Sequence, residues 1–358
     1  MFIKKSEALD LIMNRLDTNE KVAEKIRKHA VHERKTNRDF LMKVIAVIER
    51  LQSELSVTVD DAERIIDKAL AGQETDFASL DEWLENRFLP NIVFIDENAY
   101  AEMCINALKI LPTVAATDYG SSRQRDFGQK WADITRGYLG EYAFKVFLQQ
   151  RFGINSELGH DPGQLDDYLP MDIHKIKVPG EDKWRPPKKR IGIKTTKWNG
   201  IWLDIPGAQF NHSDYHVLVK LGVGQDHLFT FFKSMGIFES ILNKGKEMGI
   251  LTTEETICLL DNLADFKPIP AYICGFIRAD EQYTPPSYSG RKGKKGFIIN
   301  AWKGVYNFDD LEMIKQTQGV SEVIFNGIGS FSHNKAYLFN TGNLLWSEED
   351  WNQAIQEI

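Results

Sequence analysis

Two stretches of alternating apolar and polar residues decide the fold of this chain. Residues 171–178 read MDIHKIKV, and residues 190–205 read RIGIKTTKWNGIWLDI. A period of two predicts β-strands, because successive side chains point to opposite faces of a sheet. The second stretch contains Asn199-Gly200, a pair that favours a two-residue hairpin turn. We therefore expect strands over residues 190–196 and 201–205 that pair with each other.

This hairpin determines which polar side chains share a face. With a two-residue turn, Lys194 pairs with Ile205 and Thr195 pairs with Asp204. Directly paired residues share a face of the sheet, so the register predicts that Asp204 lies on the face opposite Lys194. A turn one residue longer would reverse that assignment.

The sequence on either side of these strands predicts further elements. Residues 126–152 repeat apolar side chains at three- and four-residue spacing, which predicts a long helix. Glu141 lies in the middle of this helix, and Gly137 and Gly140 indicate that it packs closely against another backbone. After the second stretch, the patterns predict strands over residues 215–221, 227–232, 271–277 and 296–301.

The chain has 358 residues, enough for two or three domains at roughly 100–200 residues each. Helical spacing predicts an N-terminal helical domain of residues 1–115. The strands and the long helix predict an α/β core of residues 116–300, in which helices flank a mixed central sheet. Residues 301–358 predict a small C-terminal α+β extension rich in aromatic residues. The aromatic side chains of this extension are typical of a packed core, and a module that stacks a base is the alternative.

Composition excludes several classes of protein. The apolar fraction of 42% and the charged fraction of 27% are those of a globular chain rather than a disordered or fibrous one. No apolar run reaches the roughly 18–20 residues that span a bilayer, and the N-terminus has no signal-peptide core. The three cysteines form no CxxC pair, which argues against a disulfide framework or a zinc ribbon. We therefore expect a soluble, cytoplasmic protein with no membrane partner.

The net charge is −7, but the basic residues are unevenly distributed. Residues 183–197 contain seven basic residues and no acidic one, residues 21–50 carry an excess of five positive charges, and residues 291–295 add four more. Residues 301–358 carry an excess of five negative charges. Phosphates bind where positive charge is local, whatever the total. The sequence is therefore compatible with a nucleic-acid partner.

Four features follow one another along the chain: Glu141 on a helix, Asp172 on a strand, a basic loop, and Lys194 on the next strand. This order resembles the active-site layout of the PD-(D/E)xK nuclease superfamily, the fold of most restriction endonucleases. Pro170-Met171-Asp172 stands where the family has its Pro-Asp element, and Gly192-Ile193-Lys194 stands where it has acid-x-Lys. The resemblance covers residues 136–221, about a quarter of the chain.

The resemblance implies a restriction-endonuclease-like core that hydrolyses DNA phosphodiester bonds with Mg²⁺. In the family manner, Glu141, Asp172 and the carbonyl of Ile193 would bind the ion, which prefers hard oxygen ligands. Lys194 would orient or deprotonate the attacking water and offset the charge of the transition state. The sequence departs from the family at Gly192, where an acid is usual. We expect this glycine to leave an open space beside Lys194 that Glu141 fills.

The implied partner is double-stranded DNA. The basic loop would lie against the phosphate backbone, which positions a duplex without specifying its sequence. Amide side chains pair with adenine, so two amides after the second hairpin strand are candidates for base contacts. The predicted DNA-binding residues are Lys183, Arg185, Lys188, Lys189, Arg190, Lys197, Gln209 and Asn211. A homodimer would supply the two active sites that double-strand cleavage uses.

Other interpretations stay open at the level of sequence. With no acid at Gly192, the chain is also compatible with a non-catalytic DNA-binding or assembly protein that has lost its nuclease site. The same fold serves repair and recombination nucleases as well as restriction enzymes. His212 and His216 lie four residues apart and lead into a predicted strand, which favours structural or hydrogen-bonding roles over metal binding.

Overall fold

The computed structural model shows a mixed α/β protein with two main sheets and a smaller two-stranded one. It describes residues 4–16, 20–21, 24, 26, 38–113, 126–159, 172–262, 264–281, 283–294, 296–328 and 335–358. Pro170 and Met171 of the predicted Pro-Asp element therefore lie outside the described residues, as do the residues before the long helix from 114 to 125. No described helix is long and apolar enough to cross a membrane.

The N-terminal part of the chain is helical, as its spacing predicts. Helices α1 (Lys5–Leu16), α2 (Arg38–Leu55) and α3 (Val59–Ala71) are followed by the short α4 (Leu80–Trp83). The α4 turn continues as a wider turn, Leu84–Phe88, and a 3-10 turn, Leu89–Asn91. Their buried apolar side chains form one core with residues of the two main sheets, including Leu218 and Leu203.

A four-stranded central sheet lies under these helices. Its strands, in spatial order, are β1 (Ile92–Ile95), β7 (Ile269–Arg278), β6 (Tyr215–Leu221) and β4 (Ile191–Lys197). β4 and β6 are parallel, whereas the other neighbours are antiparallel. Every residue of β6 is buried, because the sheet is covered on both faces.

The second face of the central sheet is covered by two long helices. Helix α5 (Glu97–Ile110) and helix α6 (Phe127–Phe152) share one core with β1, β4, β6 and β7. β1 and α5 fall inside the N-terminal domain predicted for residues 1–115, yet both pack with the central sheet. The central unit therefore begins at β1 rather than at residue 116, because the apolar residues of 92–95 complete the sheet.

Helix α6 confirms the helix predicted over residues 126–152, and it touches β4 closely. It begins at Asp126, whose carboxylate accepts a hydrogen bond from the N–H of Gln129, and it ends at Gly153 with a φ of +68°. A Cβ atom at Gly140 would clash with the side chain of Thr195 on β4. Gly140 therefore has the packing role predicted for it, whereas Gly137 has no described neighbour within 4 Å of its Cβ position.

The prediction of a hairpin at Asn199-Gly200 is wrong. The chain does turn there, since the N–H of Gly200 donates to the carbonyl of Lys197 at 2.9 Å. The next strand, β5 (Trp202–Pro206), then leaves β4 and pairs with β11 (Lys335–Asn340) in the second main sheet. The physical reason is burial. The apolar side chains of β5 are buried in two different cores, and an edge hairpin would not bury both sets.

The second main sheet has five strands. β10 (Val323–Phe325), β9 (Phe297–Asn307), β11 and β5 follow in order, and β8 (Ser287–Lys292) pairs with β9. A boundary at residue 301 therefore falls inside β9, and the predicted extension shares its sheet with β5. Helix α11 (Phe308–Gln318) follows β9, and helix α12 (Glu348–Glu357) packs Trp351 against Phe147 of α6 with ring centroids 5.1 Å apart.

The strand predicted over residues 227–232 is also wrong. These residues belong to helix α8 (Gln225–Ser234), which is followed by α9 (Ile237–Glu247) and α10 (Thr253–Asp261). The imidazole of His227 accepts the N–H of Gly224 at 3.0 Å and so caps the start of α8. A short apolar run fits the two-residue period of a strand as well as the 3.6-residue period of a helix. The cap at Gly224 favours the helix here. The strands predicted at 215–221, 271–277 and 296–301 are confirmed.

Candidate active site

Three separate segments bring Glu141, Asp172 and Lys194 together. Glu141 is half-buried on α6, one residue after the point where the helix contacts β4. Asp172 lies just before β3 (Ile173–Lys177), which pairs with β2 (Asn155–Leu158) in the two-stranded sheet. Its carboxylate accepts a hydrogen bond from the N–H of Ile193 at 2.5 Å, and Lys194 is the next residue of β4. The helix, the small sheet and the edge of the central sheet thus meet at one point.

The three side chains influence one another electrostatically. Burial and, to a smaller extent, the neighbouring charge of Glu141 together raise the pKa of Asp172 to about 7, against the opposing effects of the Ile193 N–H and Lys194. Burial lowers the pKa of Lys194, against the opposing effect of the carboxylates of Asp172, Asp204 and Glu141. The site is therefore a partly desolvated cluster in which acidic groups outnumber the basic one.

Asp204 belongs to this cluster, contrary to the hairpin register. It lies on β5, and its carboxylate interacts electrostatically with both Lys194 and Tyr306. The prediction placed it on the opposite side of a β4–β5 hairpin. Because β5 pairs with β11 instead, the register on which that assignment depended does not exist.

Gln209, predicted to contact a base, contacts Lys194. It lies on a single helical turn, α7 (Gly207–Phe210), directly after β5. Its side-chain oxygen accepts a hydrogen bond from the ammonium group of Lys194 at 2.7 Å. Asn211, the other amide of the pair, is exposed, and its backbone carbonyl accepts a hydrogen bond from Arg190. Gln209 therefore holds the ammonium group of Lys194 through its side-chain oxygen.

The space beside Gly192 is occupied, which corrects the expectation that it is open. A Cβ atom there would lie 2.7 Å from the hydroxyl of Ser213 and 3.2 Å from Nδ1 of His216. His216 pairs with Gly192 across the parallel β4–β6 ladder, and its Nε2 lies 2.9 Å from the carbonyl of Phe210. Burial lowers the pKa of His216 to about 4, so the ring is neutral. Any acidic residue at position 192 would require these neighbours to move.

The predicted DNA-binding cations divide into two groups. Arg185 forms an ion pair with Glu181 at 3.1 Å and donates to the carbonyl of Ile358 at 2.9 Å, and Arg190 pairs with Asp214 at 3.4 Å. These two arginines stabilise the loop itself. The remaining four form no ion pair with any described residue; Lys183, Lys188 and Lys197 are exposed, and Lys189 is half-buried.

The oxygen atoms of the site are suited to a hard divalent cation. Within a β-strand, the N–H and C=O of one residue point to the same side. β4 is the edge strand of the central sheet, and the N–H of Ile193 points outward from this edge to Asp172. The carbonyl of Ile193 therefore points outward from the same edge. Two carboxylates and one carbonyl are a ligand set that Mg²⁺ accepts while it retains several waters. Within the described residues, no group of three or more His, Cys, Asp or Glu side chains is placed to hold a metal.

A cavity of about 580 Å³ lies along the same helix and strand, closer to the start of α6. Its lining is mainly apolar and includes Tyr100, Trp131 and Phe232, with Lys197 at the end of β4. The three candidate catalytic side chains do not line it. Comparison of the chain with protein-family models, with curated proteins and with solved structures finds no match.

Proposed function

We propose that this protein is a Mg²⁺-dependent endonuclease that hydrolyses phosphodiester bonds of double-stranded DNA on a restriction-endonuclease-like core. The observation that carries the proposal is the meeting of Glu141, Asp172 and Lys194 from three distant segments. Two hydrogen bonds fix the arrangement, one from Ile193 to Asp172 and one from Lys194 to Gln209. The parallel β4–β6 pair with α6 packed against it supports the core.

The residues fit the needs of this reaction. A bound Mg²⁺ would neutralise charge on the phosphate and supply a hydroxide near neutral pH. Glu141, Asp172 and the Ile193 carbonyl would hold it, and a cation between the two carboxylates would offset both the burial of Asp172 and its repulsion by Glu141, which raise the pKa of Asp172. Lys194, held by Gln209, would orient the attacking water and offset the negative charge of the transition state.

Restriction-type, sequence-specific cleavage of both strands is the form of the reaction that we favour, and a homodimer would provide two active sites for it. A repair or recombination nuclease of the same fold is the nearest alternative. A non-catalytic DNA-binding or assembly protein is the second candidate function. The observation that favours it is Gly192, whose side-chain position Ser213 and His216 leave too crowded for the usual acid.

Plasmid cleavage with Mg²⁺ tests the proposal. We expect wild-type protein to linearise or fragment supercoiled DNA, and Asp172→Ala and Lys194→Ala to lose at least ~100-fold in rate, the size of a lost electrostatic or acid–base contribution. Asp182→Ala, at an exposed acid in the basic loop, is the matched control and should cleave normally. Equal rates in all four proteins would refute the assignment. Binding without any cleavage would favour the non-catalytic candidate, and a defined set of fragments would favour restriction over repair.

A further inference from the structure

The hairpin formed by β8 and β9 presents a positively charged surface that the candidate active site does not use. We call residues 287–303 the basic ribbon. All six residues of β8 are exposed. Arg291, Lys292 and Lys294 are exposed, and none of them forms an ion pair with a described residue. Residues 287–307 contain five basic residues and no acidic one, although the chain as a whole carries a net charge of −7.

The basic ribbon is held firmly by the core beneath it. β8 and β9 pair from Ser287–Lys303 to Lys292–Phe297. The exposed ring of Tyr288 stacks on the fully buried ring of Trp302, with centroids 5.5 Å apart and planes 21° apart. Arg291 and Lys292 are therefore carried on a paired strand, which loses little conformational entropy when it binds a partner.

The sheet places the basic ribbon within reach of a ligand at the candidate active site. Lys303 pairs with Ser287 of β8 on one edge of β9 and with Phe339 of β11 on the other. The order across the sheet is therefore β8, β9, β11, β5, and β5 leads into α7, whose Gln209 accepts a hydrogen bond from Lys194 at 2.7 Å. Three inter-strand spacings of about 4.8 Å put β8 about 14 Å from β5 across the sheet. Asp204 is aligned with Gly304 of β9 through β11, whereas Arg291 lies opposite Ile298, about 20 Å further along β9. Arg291 therefore lies about 25 Å from Asp204, which corresponds to about seven base pairs of a duplex.

We propose that the basic ribbon binds the phosphate backbone of the same DNA duplex that the active site cleaves. The proposal rests on the proposed function for its ligand. β9 is largely buried and pairs with β10 on its other edge, so the duplex would meet the exposed edge strand β8 and the turn that follows it. Contacts from Arg291, Lys292 and Lys294 to phosphates would set the orientation of the duplex without specifying its sequence.

The salt dependence of DNA binding tests this role without any cleavage step. Fluorescence anisotropy with a 30-base-pair duplex in EDTA, at NaCl concentrations from about 50 to 200 mM, gives the slope of log K against log salt. Each lost phosphate contact reduces that slope by about 0.9. We expect R291A/K292A/K294A to reduce it by about 2–3 and to weaken binding at least ~10-fold at 100 mM salt. K233A/K244A/K246A removes the same charge from exposed lysines of α8 and α9, and it should leave the slope within ~0.5 of wild type.

The outcomes separate this proposal from the proposed function. An unchanged slope and affinity in the ribbon variant would overturn the role of the ribbon, even if wild-type protein cleaves DNA. A ribbon-dependent slope in a protein that never cleaves would support the ribbon and refute the nuclease. If the ribbon variant self-associates in size-exclusion chromatography while its DNA affinity is unchanged, the proposal fails, because the charges would then protect an exposed edge strand from aggregation.

Discussion

At the scale of single residues, Lys194 shows how a proposed catalytic group depends on its neighbours. Its ammonium group donates to Gln209 at 2.7 Å and interacts with the carboxylates of Asp172, Asp204 and Glu141. A lysine with four rotatable bonds needs such a partner to stay in one position inside a desolvated site. Gln209 is therefore the residue whose loss should displace the ammonium group without removing any charge.

We predict that Gln209→Ala reduces the cleavage rate at saturating DNA about 10- to 100-fold, because a hydrogen bond from a charged group is worth about 1.5–3 kcal/mol. The DNA dissociation constant should stay the same, since the side-chain oxygen of Gln209 is bonded to Lys194. Single-turnover kinetics and anisotropy measure the two quantities separately. Asn211→Ala, at the adjacent exposed amide, is the control and should leave the rate unchanged. Weakened binding with a normal rate in Gln209→Ala would instead restore the base-contact role.

Gly140 gives a second prediction at this scale, on stability. Gly140→Ala should lower the free energy of unfolding by about 1–3 kcal/mol, because its Cβ overlaps Thr195 and overpacking costs that much. Gly137→Ala on the same helix has free space and should raise stability by up to about 1 kcal/mol through helix propensity. Urea denaturation of both variants provides the comparison. Equal effects would show that α6 and β4 are not in close contact.

The sequence predicts part of this site and misses the rest for a physical reason. Glu141, Asp172 and Lys194 could be selected because their order along the chain follows a local pattern of helix, strand and strand. The roles of Asp204 and Gln209 depend on β5 pairing with β11, more than 130 residues away in the chain. Ser213 and His216 lie beside Gly192 only through the parallel β4–β6 register. Such long-range pairings leave no signal in one sequence.

At the scale of elements, Asn199-Gly200 separates the prediction of a turn from the prediction of a pairing. The turn is present, because these residues accept the required backbone conformation. Whether the flanking strands then pair depends on where their side chains can be buried. Ile201 and Trp202 are buried in one core and Leu203 and Ile205 in another, so β5 crosses between sheets. The Asn-Gly pair therefore determines the turn, whereas the burial of apolar side chains determines which strands pair.

The basic loop between β3 and β4 yields a prediction at this scale. Arg185 ties the loop to Glu181 and to the C-terminal residue Ile358, whereas Lys183 is exposed and forms no ion pair with a described residue. Arg185→Ala should therefore lower the free energy of unfolding by about 1–3 kcal/mol. Lys183→Ala should leave stability within about 0.5 kcal/mol and weaken DNA binding with a smaller salt slope. Thermal unfolding and anisotropy on both variants check that Arg185 stabilises the loop and Lys183 binds DNA. Identical effects on stability would contradict these separate roles.

At the scale of the whole molecule, the three predicted domains are joined more closely than their sequence patterns indicate. The helical spacing, the strand alternation and the aromatic tail are local properties, and each gives information only about its own segment. None of them reveals that β1 completes the central sheet or that β5 joins the C-terminal strands. Boundaries drawn from composition therefore pass through shared sheets and shared cores.

A buried polar cluster joins the same three parts. Glu74, just after α3, accepts hydrogen bonds from Lys220 of β6 at 2.7 Å, Tyr272 of β7 at 3.0 Å and Trp83 at 3.3 Å. Arg87 extends the cluster by donating to the carbonyl of Thr341 at 2.7 Å, next to the end of β11. Because charges removed from water must be paired, this cluster specifies how the helices dock on both sheets.

The cluster predicts how the stability of the whole protein depends on pH. Burial would raise the pKa of Glu74, but Lys220 and Arg87 outweigh it and hold the pKa at about 2, below the usual value of 4.5. A depressed folded-state pKa contributes stability that is fully present above about pH 4.5 and is lost as the pH falls towards 2. For a difference of this size, the contribution is about 3 kcal/mol at neutral pH.

Glu74→Gln isolates this contribution. At pH 7 the variant should be less stable than wild type by about 3–5 kcal/mol, because it leaves Lys220 buried without its counter-charge. The difference should shrink as the pH falls from 4.5 to 2, since the wild-type carboxylate then becomes protonated as well. Glu157→Gln, which breaks the exposed pair with Lys175, should cost less than about 1 kcal/mol at either pH. Urea unfolding of the three proteins at pH 7, 4 and 3 provides the data. A gap between wild type and Glu74→Gln that does not change with pH would mean that the charge of Glu74 is not what holds the helices to the sheets.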